Sequence, residues 1–138
     1  MGRVGLVALS LALLVGSAAA FTRTEKLKLK PSAVAKPKFE RNVYPNCGCR
    51  DRRARLSVLF RRPEQVDVSI VDDDGAHVAT LVRGKHLLAG RTSFHWNGRD
   101  DAGEVVARGR YRLQIRLVGD RRTILIPTTV VVRPNAGP

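Results

Sequence analysis

Hydrophobic and polar residues alternate through most of the second half of the chain. Leu56, Val58 and Phe60 are interleaved with Arg55, Ser57 and a less expected Leu59, and Val66, Val68 and Ile70 with Asp67 and Ser69. Further on, Thr92, Phe94 and Trp96 share one parity with Ser93 and His95 between them. Tyr111, Leu113, Ile115 and Leu117 alternate with Arg112, Gln114 and Arg116. A period of two places one set on a buried face and the other in water, so each run predicts a half-buried strand. Turn formers separate the runs. Arg61-Arg62-Pro63-Glu64 stops the first, and Asp72-Asp73-Asp74-Gly75 offers a glycine for positive φ, so the strands flanking it should form a hairpin.

A third strand is expected over residues 76–81, then a connection over residues 84–90 in which Leu87 and Leu88 tuck under the edge. Residues 105–107 should make a short pairing, and Gly119-Asp120-Arg121 should turn the chain into a last strand over residues 123–132. Pro127 lies within that strand and cannot donate to a ladder, which assigns it to an edge or a bulge. Short strands with turns between them, and no helical period, predict an all-β fold: an antiparallel β-sandwich of about seven strands.

The first 53 residues follow another logic. Arg3 precedes an uninterrupted apolar run over residues 4–20 that ends in Ser17-Ala18-Ala19-Ala20. A positive start, an apolar stretch and small residues predict an N-terminal apolar helix serving as signal peptide or signal anchor over residues 1–20. Its length is at the lower edge of what spans a bilayer, roughly 17–25 residues, so residues 4–20 would hold the membrane if uncleaved. Arg23, Lys26, Lys28 and Lys30 follow at once, and positive charge favours the cytoplasmic side. Export is nonetheless the expectation, with a secreted or membrane-anchored product. Pro31, Pro37, Pro45 and a Lys-Leu-Lys-Leu-Lys stretch predict a basic, disordered spacer over residues 21–53, closing in a tight turn at Pro45 to Cys49. The folded domain is expected over residues 54–134 and a tail over residues 135–138.

Charge sharpens that division. The chain has 138 residues and a formal charge of +13 from 25 basic and 12 acidic residues. Residues 21–53 hold ten Lys/Arg against Glu25, Glu40 and Asp51. A basic spacer suits anionic surfaces such as lipid headgroups or wall polymers, and equally serves as a self-repelling linker. Nucleic acid is a poor fit, because no aromatic residues interleave with Arg110, Arg112 and Arg116 to stack on bases.

Candidate chemistry is sparse. Cys47-Gly48-Cys49 admits a local disulfide, a soft-metal or redox pair, or intermolecular disulfides, and a ring this short would be easily reduced. His77, His86 and His95 are too scattered for a ligand motif. Asp72-Asp73-Asp74-Gly75 and Asn97-Gly98-Arg99-Asp100-Asp101 both lack the calcium-loop spacing and its closing Glu, and turn chemistry accounts for their acids. Ser57, Ser69 and Ser93 have no elbow glycines, and no phosphate-cradling loop is present. No cofactor, no metal and no enzymatic activity are expected.

Trp96-Asn97-Gly98-Arg99-Asp100-Asp101-Ala102-Gly103, followed by Val105, Gly109 and Tyr111, resembles the W-(D/N)-G-x-(D/N)-x-x-G…V…G-x-Y signature of the Ig-like domains found in the flagellar hook-capping protein FlgD and in many secreted bacterial proteins. The upstream Ile70-x-Asp72-x-x-Gly75-x-x-Val78-x-x-Leu81 is similar to the family's hairpin. The resemblance covers residues 54–133 and implies an Ig-like (fibronectin III-like) sandwich. It makes Trp96, Asn97, Gly98, Asp100, Gly103, Gly109 and Tyr111 a structural signature. Trp96 would plug the space between sheets, the three glycines would take sharp bends, and Tyr111 would bond its hydroxyl to backbone. The resulting expectation is a non-catalytic binding or structural module at the cell envelope, partnered by a protein or another envelope component. The alternatives are a thiol- or metal-handling protein built on Cys47 and Cys49, and an accessory of flagellar hook assembly.

Overall fold

The computed structural model describes residues 32–134. The expected N-terminal helix with its signal or anchor role, the first part of the spacer, and the tail lie outside the described residues. Eight strands run in chain order as β1 (Val34–Phe39), β2 (Asn42–Val43), β3 (Ala54–Phe60), β4 (Glu64–Asp72), β5 (His77–Leu87), β6 (Gly90–Trp96), β7 (Gly109–Leu117) and β8 (Arg122–Val132), with one 3₁₀ turn at Arg50–Arg52. They form two sheets, ordered β1-β3-β6 and β2-β8-β7-β4-β5. All pairings are antiparallel except that of β2 with β8. Among the described residues no helix is long and apolar enough to cross a membrane.

The alternation is what closes the sandwich. From the smaller sheet, Leu56, Val58, Phe60, Phe94 and Trp96 point inward. From the larger sheet come Val66, Val68, Ile70, Leu113, Ile115, Leu117, Val130 and Val132, and all of these join one core. Each apolar side chain buried this way stabilises by about 1.5–3 kcal/mol relative to exposure. The hairpin expected at Asp72 to Gly75 joins β4 to β5. Pro127 falls in the irregularity of the β7–β8 ladder, where the register shifts between Arg112 opposite Thr129 and Gln114 opposite Leu125, so no ladder donor is lost.

The expected disordered spacer needs correction over residues 33–53. The compact unit begins at Ala33, not at Ala54. β1 is an edge strand on β3, and its ladder slips between Ala35 and Lys38, around Lys36 at φ 45° and Pro37. Ala33, Val34 and Val43 are buried, while Lys36 and Lys38 face water. The chain then crosses to the other sheet, where Val131 N donates to Arg41 O and Arg133 N to Val43 O. This segment therefore stitches an edge of one sheet to an edge of the other. Its prolines and lysines, which argued for disorder, are the residues an edge strand tolerates.

β5 also exceeds its expected span, continuing through residues 84–87. Side chains of β4 replace missing ladder bonds there: Gly84 N donates to Asp67 Oδ1 at 2.6 Å, and Gln65 Nε2 to Gly84 O at 3.3 Å. Of the two leucines expected beneath the edge, Leu87 is 7% exposed and Leu88 is 82% exposed. The pairing expected over residues 105–107 is a single bridge between Val105 and Arg99.

Candidate functional site

The signature residues gather where β6 leaves its sheet and the chain returns to β7. Trp96, at the end of β6, is 2% exposed, and its indole N–H donates to Arg99 O at 2.9 Å. That bond satisfies the one polar atom of an otherwise apolar plug. The ring meets Tyr111 of the opposite sheet edge-on, with centroids 5.2 Å apart and planes at 61°. The Tyr111 hydroxyl donates to Ala107 O at 2.6 Å. Burial, with the Asp72 carboxylate adding to it, pushes the phenol above its ordinary value, so it remains a donor.

The loop between these rings is held by its own polar groups. Asn97 Oδ1 accepts from Arg99 N, and Arg99 Nη1 donates to Gly103 O. Asp100 Oδ1 accepts the N–H groups of Ala102 and Glu104 at 3.0 and 2.9 Å. Gly98 has φ 72°, and a Cβ there would collide with the Pro45 ring. Only glycine meets both demands at low cost. Gly103 completes the Asp100 turn at φ 83°. Gly109 departs from the expectation: it opens β7 without a positive φ and with nothing within 4 Å of where its Cβ would lie. Nothing in the structure explains the glycine there.

Two contacts were beyond sequence reasoning. Pro45, from the supposed spacer, is buried against Gly98. Asp101, one place past the capping aspartate, reaches β5, where Oδ1 accepts from Thr80 N at 2.7 Å and Oδ2 meets His77 Nε2 at 2.8 Å. The Thr80 N–H, with the His77 bond next, holds the Asp101 carboxyl below the usual carboxylate range. A shallow groove of about 380 Å³ beside this contact is lined by Arg53, Thr80, His95, Arg99 and Asp101.

The other aspartate cluster repeats the same turn. Asp72 Oδ1 accepts from Asp74 N and Ala76 N, both at 2.9 Å. Backbone bonds from Asp72 N to Ala76 O and from Gly75 N to Asp72 O match those from Asp100 N to Glu104 O and from Gly103 N to Asp100 O. Asp-Asp-x-Gly occurs at both places, and that recurrence was the available signal. One oxygen of each capping carboxylate, Asp72 Oδ1 and Asp100 Oδ1, is engaged by two backbone N–H groups. Among the described residues no group of three His, Cys, Asp or Glu is arranged to hold a metal.

Cys47 and Cys49 are joined by a disulfide in the turn between β2 and the 3₁₀ turn, with Cα atoms 5.1 Å apart. His86 and His95 are exposed and far along the chain from either cysteine, and His77 is committed to Asp101.

A two-sheet sandwich clamped by a Trp–Tyr pair and a bonded loop defines an Ig-like domain. The family model for the FlgD Ig-like domain matches residues 52–120, half of the chain, and the chain belongs to that family. Similar solved structures include FlgD from P. aeruginosa, at 23% identity and a TM-score of 0.49, aligned over 73% of this chain and 78% of that one. Truncated FlgD from Helicobacter pylori strain 26695 aligns at 16% identity and a TM-score of 0.42, over 75% of this chain and 67% of that one. PorZ, a bacterial surface component of the type-IX secretion system of Porphyromonas gingivalis, aligns at 20% identity and a TM-score of 0.35, over 56% of this chain and 9% of that one. No curated protein matches.

Proposed function

We propose that this domain is a non-catalytic binding or structural module that works outside the cytoplasm at the cell envelope, with a protein as its partner. One observation carries the reading: each polar side chain of the signature turns at least one atom onto the loop itself. The Trp96 indole, the Asn97 amide, the Asp100 carboxylate and the Tyr111 hydroxyl each bond backbone of the same loop. Each of these bonds holds the loop's own shape, which is what a structural clamp requires and what a catalytic constellation, with its groups aimed at a substrate, does not. Membership of the FlgD Ig-like family supports protein contacts, and assembly of a flagellar hook is the narrower form of the same reading. No cofactor is called for. The N-terminal apolar run would deliver the chain by export or anchor it through residues 4–20, and the basic residues after it would favour an anionic surface.

Fractionation of cells expressing the full chain, followed by cross-linking, tests this. The expected result is an envelope-associated protein captured with the domain, and capture that survives substitution of exposed polar residues beside the loop, such as His95 of β6. A chain that stays in the cytoplasm overturns the location. Capture of a flagellar hook component would select the narrower form, and its absence from an otherwise complete cross-linked set would exclude it.

A further inference from the structure

The Cys47–Cys49 bond itself makes none of the contacts that hold the signature loop, and its chemistry points elsewhere. We propose that Cys47-Gly48-Cys49 is a thiol–disulfide exchange centre that accepts electrons from an exposed dithiol of a partner protein.

As a staple the pair has little to do. A bridge that encloses one intervening residue constrains the unfolded chain far less than one closing a long loop. The turn is also held without it: Tyr44 N donates to Asp51 O and Cys47 N to Tyr44 O, each at 3.0 Å, and Asn46 Nδ2 donates to Pro134 O at 3.2 Å. Pro45 is buried next to it against Gly98. A bond that is redundant for shape is free to break and re-form.

The surroundings favour exchange and give it a direction. Both cysteines are half-buried and Gly48 between them is exposed, so a thiol can approach. The backbone N–H of Cys49 points at Cys47 Sγ, 3.1 Å away. That donor would stabilise a thiolate on Cys47 and leaves Cys49 without the equivalent help. Arg50, Arg52 and Arg53 are all exposed just beyond, with Asp51 the one acid among them. Positive charge of this kind lowers a nearby thiol's pKa. A groove of about 390 Å³ lined by Tyr44, Arg50 and Asp51 runs beside the turn and could seat a partner segment. Metal binding is less well served, since no third ligating side chain joins the two sulfurs among the described residues.

The steps balance without another reagent. A partner thiolate attacks Cys49 Sγ, the Cys47–Cys49 bond breaks, and its electron pair leaves on Cys47 Sγ beneath the Cys49 N–H. The partner's second thiolate then attacks its own sulfur in the mixed disulfide, which frees Cys49 and closes a disulfide on the partner. Two partner thiols are oxidised, one disulfide is reduced, and the two partner protons pass to solvent or to the new thiols. Exchange with an oxidised partner runs the same steps in reverse.

The test uses the full oxidised chain with reduced glutathione as probe, quenched in acid and mapped by tandem mass spectrometry. Glutathione is expected on Cys49 with Cys47 free. In Cys49→Ser, alkylation of Cys47 by iodoacetamide should titrate below the ordinary thiol value of about 8.5, and below Cys49 in Cys47→Ser. A synthetic dithiol peptide should be oxidised by one equivalent of the wild-type chain and by neither variant. The Cys47→Ser/Cys49→Ser double variant should keep its melting temperature within about 2 °C of the reduced wild type, a shift of a few tenths of a kcal/mol for a domain this size. Glutathione on Cys47, a Cys47 midpoint at or above the ordinary value, or no peptide oxidation overturns the proposal. So does a double variant that fails to fold while reduced wild type stays folded, which would make these positions structural.

Discussion

Two turns of the same design do different work in this protein. Asp72 and Asp100 each cap a turn with one carboxylate oxygen on two N–H groups, and each turn closes at a glycine with φ 84° or 83°. The first ends an ordinary hairpin. Its second aspartate, Asp73, is exposed and comes no nearer than 3.7 Å to Arg110 and Arg112. The second turn is docked. Its Asp101 ties the loop to β5, Arg99 receives the Trp96 indole N–H, and Gly98 receives Pro45 from the N-terminal segment. Turn chemistry is therefore local and repeatable, whereas what makes one turn a clamp between sheets is the set of long-range contacts around it.

Substitutions can separate the shared part from the unshared part. Trp96→Ala should have the largest effect, about 3–5 kcal/mol by denaturant titration, because a buried plug is lost and Arg99 O loses its donor. Gly98→Ala should follow at roughly 2–5 kcal/mol, combining the left-handed backbone cost with overpacking against Pro45. Gly75→Ala has the backbone cost alone, about 1–2 kcal/mol. Equal losses at Gly98 and Gly75 would break the distinction. Asp72→Ala and Asp100→Ala should each cost about 1–2 kcal/mol and resemble one another, since both remove the same pair of bonds.

The smallest effects belong to the second aspartates. Because the folded Asp101 carboxyl is held below its ordinary value, its contribution is fully present above about pH 3.9 and is lost as pH falls through the lower folded value. Melting temperatures of wild type and Asp101→Asn should therefore differ near neutrality and converge in acid, and a gap that widens in acid would contradict the assignment. Asp73→Asn should leave the melting temperature unchanged, as an exposed, loosely paired acid does.

Much of the sandwich was legible because the larger strands have one dry face. In β6 and β7 the period of two survives every exposed arginine, and in β3 and β4 it is broken only by buried Ser57 and Val71, so parity alone placed Trp96 and Tyr111 inward. β1 and β2 escaped notice because edge strands need not alternate: Pro37, Lys36 and Lys38 occupy positions where neither burial nor a ladder donor is required. β2 is two residues long and pairs with a strand at the far end of the chain, and no local pattern announces such a contact. The extension of β5 through Gly84 was hidden because Asp67 and Gln65, on another strand, supply its hydrogen bonds. Asp101 was visible as one more turn acid. Its reach to Thr80 and His77 depends on how β5 lies beside the loop, which is a property of the assembled fold. Gly109 went the other way, since a glycine before a strand suggested a bend that the backbone does not make.

The central claim is that the signature is a clamp closed on itself, with Trp96 inside it. Trp96 is the one tryptophan in the chain, so its fluorescence reports on that residue alone. In the native protein, acrylamide and iodide should quench it weakly, and denaturant should shift its emission to the red in the same transition that unfolds the sheets. Native emission already red-shifted and quenched as readily as free tryptophan would put the ring in water and contradict the account.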